Sequence, residues 1–383
     1  MAYIVAERFP HPIIENGEPP FVSIYMPTSR LTTETKDNEI RFKNLLKKAE
    51  EMLAKNYPGR AGEEILSDLK TLLEDKPFWS YQLDGLGILA KRDEMVVYKL
   101  QRDVKEYVEV SKNFYVKPLL NAYQTDDSYQ ILALYKTNFA LFEGNRYGIR
   151  EVELPKEEKK SLKDVVGSFY EENRTHGVSM GASGKTMYGG GGDNRDEEAV
   201  DQEKYFRWVD RYIHENHSKR TDLPLILAAL PEHHAEFQKL SHNQYLLKDG
   251  IRKDPQTVTS EEFITFAWNL LSPKYTENIR KLHDKYEFNK SRELASEDLS
   301  EIARAAAAAR VDTLIVNLNA TIPGSISKDL GHLSLEDAGT DLLNDLALLA
   351  LEQKAKVIVV SDDELPLETG VKSIFRYPEP NRA

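Results

Sequence analysis

Two apolar periods alternate along this chain, and together they mark out its elements. Phe21-Val-Ser-Ile-Tyr-Met26 is an apolar run stopped by Pro27, which reads as a strand. Leu45, Leu46, Ala49, Met52 and Leu53 recur at helical spacing and predict a helix over about 37–55, with a second over about 63–73. Residues 84–100, DGLGILAKRDEMVVYKL, hold two apolar runs around the charged turn from Lys91 to Glu94 and predict a hairpin. Further on, YQILALYKTNFALFEGNRYGIREVEL predicts a three-stranded meander with turns at 136–138 and 143–145. A helix is expected over 196–217, with Val200, Tyr205, Val209, Tyr212 and Ile213 as its inner stripe. A buried strand over 223–230 follows it.

The last block begins near Pro255. It predicts a long helix over 260–285, capped by Thr259-Ser260-Glu261-Glu262, and a second over 296–310. Strands at 311–318, 356–360 and 371–377 then alternate with a helix at about 335–354. Strands flanked by helices define an α/β protein of three domains: 1–124, 128–253 and 254–383, the last a compact α/β/α sandwich.

One segment fits neither period. Residues 177–192, GVSMGASGKTMYGGGG, carry seven of the twenty glycines, a density that disfavours both helix and strand and predicts a long loop. Long loops inside compact domains are usually functional. Composition narrows the chemistry. With 383 residues and no cysteine, the chain supports neither a disulfide framework nor a thiolate metal site. No signal peptide or membrane-length apolar run is present, and the chain reads as cytoplasmic. The net charge of −12 argues against binding a polyanion with the whole surface, leaving local basic faces. Two such faces stand out: Arg174, His176, Lys185 and Arg195 around the glycine segment, and Arg280, Lys281, Lys285, Lys290 and Arg292 further on.

Other motifs read more plainly as structure. Gly181-Ala-Ser-Gly-Lys-Thr186 resembles the end of a phosphate-binding loop, but Ser179 stands where the first glycine belongs. The pairs His214/His217 and His233/His234 match no zinc pattern and read as surface histidines. Asp362-Asp363-Glu364 reads as a solvated turn rather than a magnesium site. No metal or cofactor is expected.

The blocks also carry a family resemblance. AKVIVVSDDELPLETGVKSIFRYP and Ala309-Arg-Val-Asp-Thr-Leu-Ile315 resemble the C-terminal domain of Pelota and the archaeo-eukaryotic class-I release factor. The meander, the pair His176-Gly177 leading the glycine segment, the helix after it and LPLILAALPEHHAEF are similar to the family's central domain. PFVSIYMPTSR and DGLGIL resemble the N-terminal domain of bacterial members. The implied architecture is an N-terminal α/β domain, a release-factor-like central domain displaying the loop, and a C-terminal domain of the L7Ae type.

In that family the central loop carries Gly-Gly-Gln and reaches the peptidyl-transferase centre of the ribosome. Here no Gly-Gly-Gln occurs, and Gly189 to Gly192 are followed by Asp193. Gln202 lies ten residues beyond, inside the expected helix. The resemblance therefore implies a ribosome-binding translation factor that fills the A site. It would project His176, Gly177, Lys185, Tyr188, Gly189, Gly190, Gly191, Gly192, Asp193 and Arg195 toward ribosomal RNA in a hibernation or rescue role. The alternative is a peptidyl-tRNA ester hydrolase that releases nascent chains; no catalytic residue is assigned. A translational GTPase is the further partner class implied, with neither DNA nor membrane.

Overall fold

A strand that is apolar throughout has two faces to bury, and the first sheet meets that demand. The computed structural model describes residues 3–15, 17–29, 35–124, 127–155, 161–167, 193–327, 331–334 and 340–379. Strands β1 (Ile4–Val5), β2 (Phe21–Pro27), β3 (Gly85–Lys91), β4 (Glu94–Leu100) and β5 (Tyr107–Ser111) form a sheet in the order β1-β4-β3-β2-β5. It is antiparallel except where β1 runs parallel to β4. Val22, Ile24, Met26, Leu86, Ile88 and Val97 share a core with Phe42, Leu45, Leu69 and Trp79 of the helices Thr35–Asn56, Arg60–Glu74 and Lys76–Ser80. The alternate residues Tyr25, Leu89, Val96, Tyr98 and Leu100 belong to a second core, which they share with Ile302, Leu314, Leu343 and Leu346 near the end of the chain.

The second sheet holds the expected meander. Strands β6 (Tyr129–Leu134), β7 (Phe139–Gly144) and β8 (Ile149–Glu151) are antiparallel, and β9 (Leu225–Ala228) runs parallel to β6. Leu132, Leu134, Leu141 and Leu227 pack with Tyr205, Phe206 and Val209 of the helix Asp193–Ile213 and Phe237 of the helix Pro231–Leu240. Tyr129, Ile131, Ile226 and Ala228 pack with Phe263, Ala267 and Leu271 of the helix Ser260–Lys290. The expected inner stripe needs one correction: Val200 is 51% exposed. It lies five residues before Tyr205, which turns it to the far side of a 3.6-residue helix.

The third sheet orders β10 (Ala295–Ser296), β11 (Val311–Asn317), β14 (Lys356–Val360) and β15 (Val371–Phe375) as β10-β15-β11-β14. A two-stranded ribbon, β12 (Ser325–Ile326) with β13 (Leu333–Ser334), accompanies it. β11 and β14 are parallel, while β15 is antiparallel to β11. Two expected helices are shorter than their patterns. Residues 295–296 pair with β15, and the Asp298 carboxylate caps a helix Leu299–Ala307 by accepting from the Glu301 N–H at 2.8 Å. Asp341 likewise caps the helix Leu342–Glu352.

The chain divides into two compact units, 1–124 with 274–383, and 125–273. Polar side chains bind the two stretches of the first unit across more than two hundred residues of sequence. Lys117, fully buried, lies 2.6 Å from the Asp341 carboxylate and donates to the Ala320 carbonyl at 2.5 Å. The Gln124 amide donates to the Val359 carbonyl at 2.8 Å and accepts from its N–H at 2.6 Å, as a neighbouring strand would on the β14 edge. Asn344 bonds the Val116 N–H and the Phe114 carbonyl in the same manner. Packing is tight at Gly87, where a Cβ would lie 3.0 Å from the Tyr25 ring and 3.2 Å from Leu119. Among the described residues no helix is long and apolar enough to cross a membrane.

Candidate functional site

The second unit holds both ends of the glycine-rich interval on one core. On the near side, Ser161 and Asp164 form a capping box: the serine hydroxyl accepts from the Asp164 N–H at 3.2 Å, and the carboxylate accepts from the Ser161 N–H at 3.1 Å. The Leu162 N–H donates to the Thr137 carbonyl at 2.8 Å, fastening the short helix Leu162–Val166 to the β6–β7 turn. Gly167, at φ 87°, ends that helix in a conformation that favours glycine. On the far side the chain enters the helix Asp193–Ile213. Leu162, Val165 and Val166 pack in the same cluster as Tyr205, Phe206 and Val209, so the two anchor points are fixed together. Full burial of side chains such as Tyr205 and Phe206 contributes about 1.5–3 kcal/mol each.

Of the predicted loop residues, His176, Gly177, Lys185, Tyr188, Gly189, Gly190, Gly191 and Gly192 lie outside the described residues. Asp193 and Arg195 occupy the first turn of the following helix, and Gln202 sits within it as expected.

At its other end this helix passes into a π-helical turn, His214–Ser218. Such insertions persist where surrounding contacts hold them. Here Asp210 accepts from the Ser241 hydroxyl and from the His242 N–H at 2.9 Å, while Asn243 donates to the buried Ser218 hydroxyl at 2.9 Å. Sequence spacing gave no hint of this network, since its partners come from a loop some thirty residues away.

The histidine expectation is also corrected. His234 is buried at 3% exposure, because Pro231 starts a helix whose inner face includes it. A Cβ at Gly250 would lie 2.4 Å from the His234 Nε2 and 2.4 Å from the Leu227 carbonyl, so only glycine fits beside that ring. Burial draws both His217 and His234 below the usual imidazole range. No group of three or more metal-ligating side chains occurs among the described residues.

The basic face of the helix Ser260–Lys290 is largely matched by carboxylates. Arg280 pairs with Glu277 at 2.8 Å and Asp284 at 3.4 Å, and Lys281 reaches Glu277 at 3.7 Å. Lys285 pairs with Asp312 at 2.9 Å and Lys290 with Glu297 at 2.7 Å. These hydrogen bonds lower the pKa values of Glu277, Asp312 and Glu297. Arg292 differs, stacking 4.0 Å from the Phe288 ring centroid. The acidic turn after β14 is a hydrogen-bonded structure: Asp362 accepts from the Asn317 amide, and Glu364 from the Tyr275 hydroxyl at 2.7 Å and the Ser361 N–H at 2.9 Å. A cavity of about 380 Å³ beside it is lined by Asn317, Asn319, Asp362, Glu368 and Gly370, among others.

Residues 128–310 match the bacterial archaeo-eukaryotic release factor family 3. Over that stretch, just under half of the chain, the sequence is similar to release-factor-like proteins of this bacterial type. The match encloses both anchors of the glycine-rich interval. No curated protein matches the chain.

Among solved structures, an archaeal translation termination factor, aRF1, is similar at 13% identity, covering 95% of each chain with a TM-score of 0.26. Ribosome-bound archaeal Pelota with ABCE1 is similar at 12% identity over 77% of this chain and 78% of that one, TM-score 0.39. S. cerevisiae Dom34 is similar at 11% identity over 78% and 80%, TM-score 0.39. At such scores these are likenesses and nothing more.

Proposed function

We propose that this protein is a ribosome-binding translation factor that occupies the A site and extends its glycine-rich segment toward the peptidyl-transferase centre without hydrolysing peptidyl-tRNA. It acts in the cytoplasm in a hibernation or rescue role, with a translational GTPase as the partner class that the family resemblance implies. The observation that carries this reading is the family match over 128–310, which spans the glycine-rich segment and both of its packed anchors. Glycine suits close approach of backbone to RNA, and backbone N–H groups suit a phosphate- and carbonyl-rich surface.

The lack of Gly-Gly-Gln separates binding from catalysis. Asp193, which follows the four glycines, is a poor replacement, since a carboxylate among RNA phosphates is repelled. Peptide release from stalled ribosome–peptidyl-tRNA complexes tests this. Ribosome-bound protein is expected to release labelled peptide no faster than buffer, and release above that background would establish the hydrolase reading instead.

A further inference from the structure

The cations at the end of the helix Ser260–Lys290 divide into four held by carboxylates and one that is not. Arg280, Lys281, Lys285 and Lys290 all lie within ion-pair distance of an acid. Arg292 makes no ion pair among the described residues, and its guanidinium lies over the Phe288 ring at 4.0 Å. Phe288 is itself 56% exposed, so this large ring on a charged helix has given up most of its burial energy.

The local backbone explains the stack. The Ser291 hydroxyl donates to the Phe288 carbonyl at 2.8 Å, and the Arg292 N–H donates to the Asn289 carbonyl at 3.0 Å. Glu293 takes a left-handed conformation, φ 59°, and the Leu294 N–H returns to the Asn289 carbonyl at 2.9 Å. This reversal stops the helix and leads the chain into β10, leaving Arg292 against the ring four positions earlier. An αL conformation is unfavourable for a glutamate, so the turn is held by its hydrogen bonds.

We propose that the Arg292–Phe288 stack is a platform for an unpaired base of RNA. A guanidinium plane and a phenyl ring both stack on the π-face of any base, and the uncompensated charge of Arg292 remains available to the adjoining phosphate. The four neighbouring cations are poorer RNA contacts, because each must first exchange a carboxylate for a phosphate. The inference rests on the RNA-binding reading above and narrows it from a basic helix face to two residues.

The test titrates a fluorescein-labelled short single-stranded RNA, and in parallel pellets the full chain with ribosomes, over a range of salt. Phe288→Ala is expected to weaken both by about tenfold with the salt slope unchanged, as loss of base stacking does. Arg292→Ala is expected to weaken binding and reduce the slope by about 1. Phe288→Tyr should retain binding, and Lys281→Ala should leave it within about twofold, as a surface ion pair contributes little. Thermal melts of the same variants confirm that the exposed substitutions leave the fold intact.

Wild-type-like binding by Phe288→Ala, or an equal loss in Lys281→Ala, would overturn the platform while leaving ribosome binding in place. Phe288-dependent binding to the oligonucleotide with no ribosome association would remove the ribosome reading and keep the platform. Absence of both would remove both.

Discussion

The two units are held by different kinds of contact. In 1–124 with 274–383, the apolar cores are supplemented by side chains that reach across most of the sequence: Lys117 to Asp341, Gln124 to Val359 and Asn344 to Phe114 and Val116. In 125–273, a single sheet with helices on both faces does the work, and its polar contacts, such as those of Asp210, Asn243 and Gln130, reach across a few tens of residues at most. The first arrangement makes distant segments cooperate and leaves little room for one to move alone. The second holds the segments on either side of the glycine-rich interval in one core.

The contrast can be broken most forcefully at Lys117. Its Nζ is desolvated, which lowers its pKa, while Asp341 opposes that shift. Lys117→Ala leaves Asp341 buried and unpaired, so a loss of about 3–5 kcal/mol is expected. Chemical denaturation should show that loss confined to the unit containing Lys117.

Gly250→Ala is the corresponding lesion in the other unit. A Cβ in contact with His234 and the Leu227 carbonyl forces backbone or ring to shift, at a cost of about 1–3 kcal/mol. Differential scanning calorimetry should place the change in the transition that Lys117→Ala leaves alone. Gln124→Ala exposes the β14 edge and strands the buried Val359 groups, with an expected cost of about 1–2 kcal/mol. Hydrogen exchange at the Val359 amide should rise with it.

A smaller effect follows from pH. The folded pKa values of His217 and His234 lie below 6.5, mainly through burial. The unfolded chain therefore binds more protons than the folded one below that pH. Stability of 125–273 is full above about pH 6.5 and falls as the pH drops through it. A His217→Asn, His234→Asn double variant should flatten this slope in melts between pH 7 and 5.

Glu109 gives the smallest and opposite change. Burial and, secondarily, the charges of Asp345 and Asp341 raise its pKa, so its ionised form is disfavoured in the fold. Its stabilising contribution is that of the protonated acid and is lost as pH rises. Glu109→Gln keeps an acceptor for the Tyr107 hydroxyl and should raise the melting temperature at neutral pH, with no gain in acid.

Much of the fold was legible in the sequence because its strands are continuous and its helices periodic. The hairpin 84–100, the meander and the helix after the glycine segment all form where the pattern put them. What escaped has physical reasons. Strand β1 is two residues long and β10 joins an existing edge, so neither has a period to detect. Val200 was misassigned by proximity to an apolar stripe rather than by angle, and His234 by polarity rather than by its place on a helix.

At the candidate site, the cations of the basic helix were readable, but their neutralisation was not. Lys285 finds Asp312 twenty-seven residues on, a distance that no local pattern encodes. The exposure that sets Phe288 and Arg292 apart likewise emerges only once the helix is stopped by Glu293. The segment 177–192 stood out by glycine content alone, and the anchors on either side of it come from the fold.

The central claim is association with the ribosome, and co-sedimentation of the purified 383-residue chain with 70S ribosomes over a salt series measures it most directly. The protein should pellet with ribosomes at low salt and be lost steeply as salt rises, as counterion release requires. A chain that stays in the supernatant at the lowest salt would contradict the account.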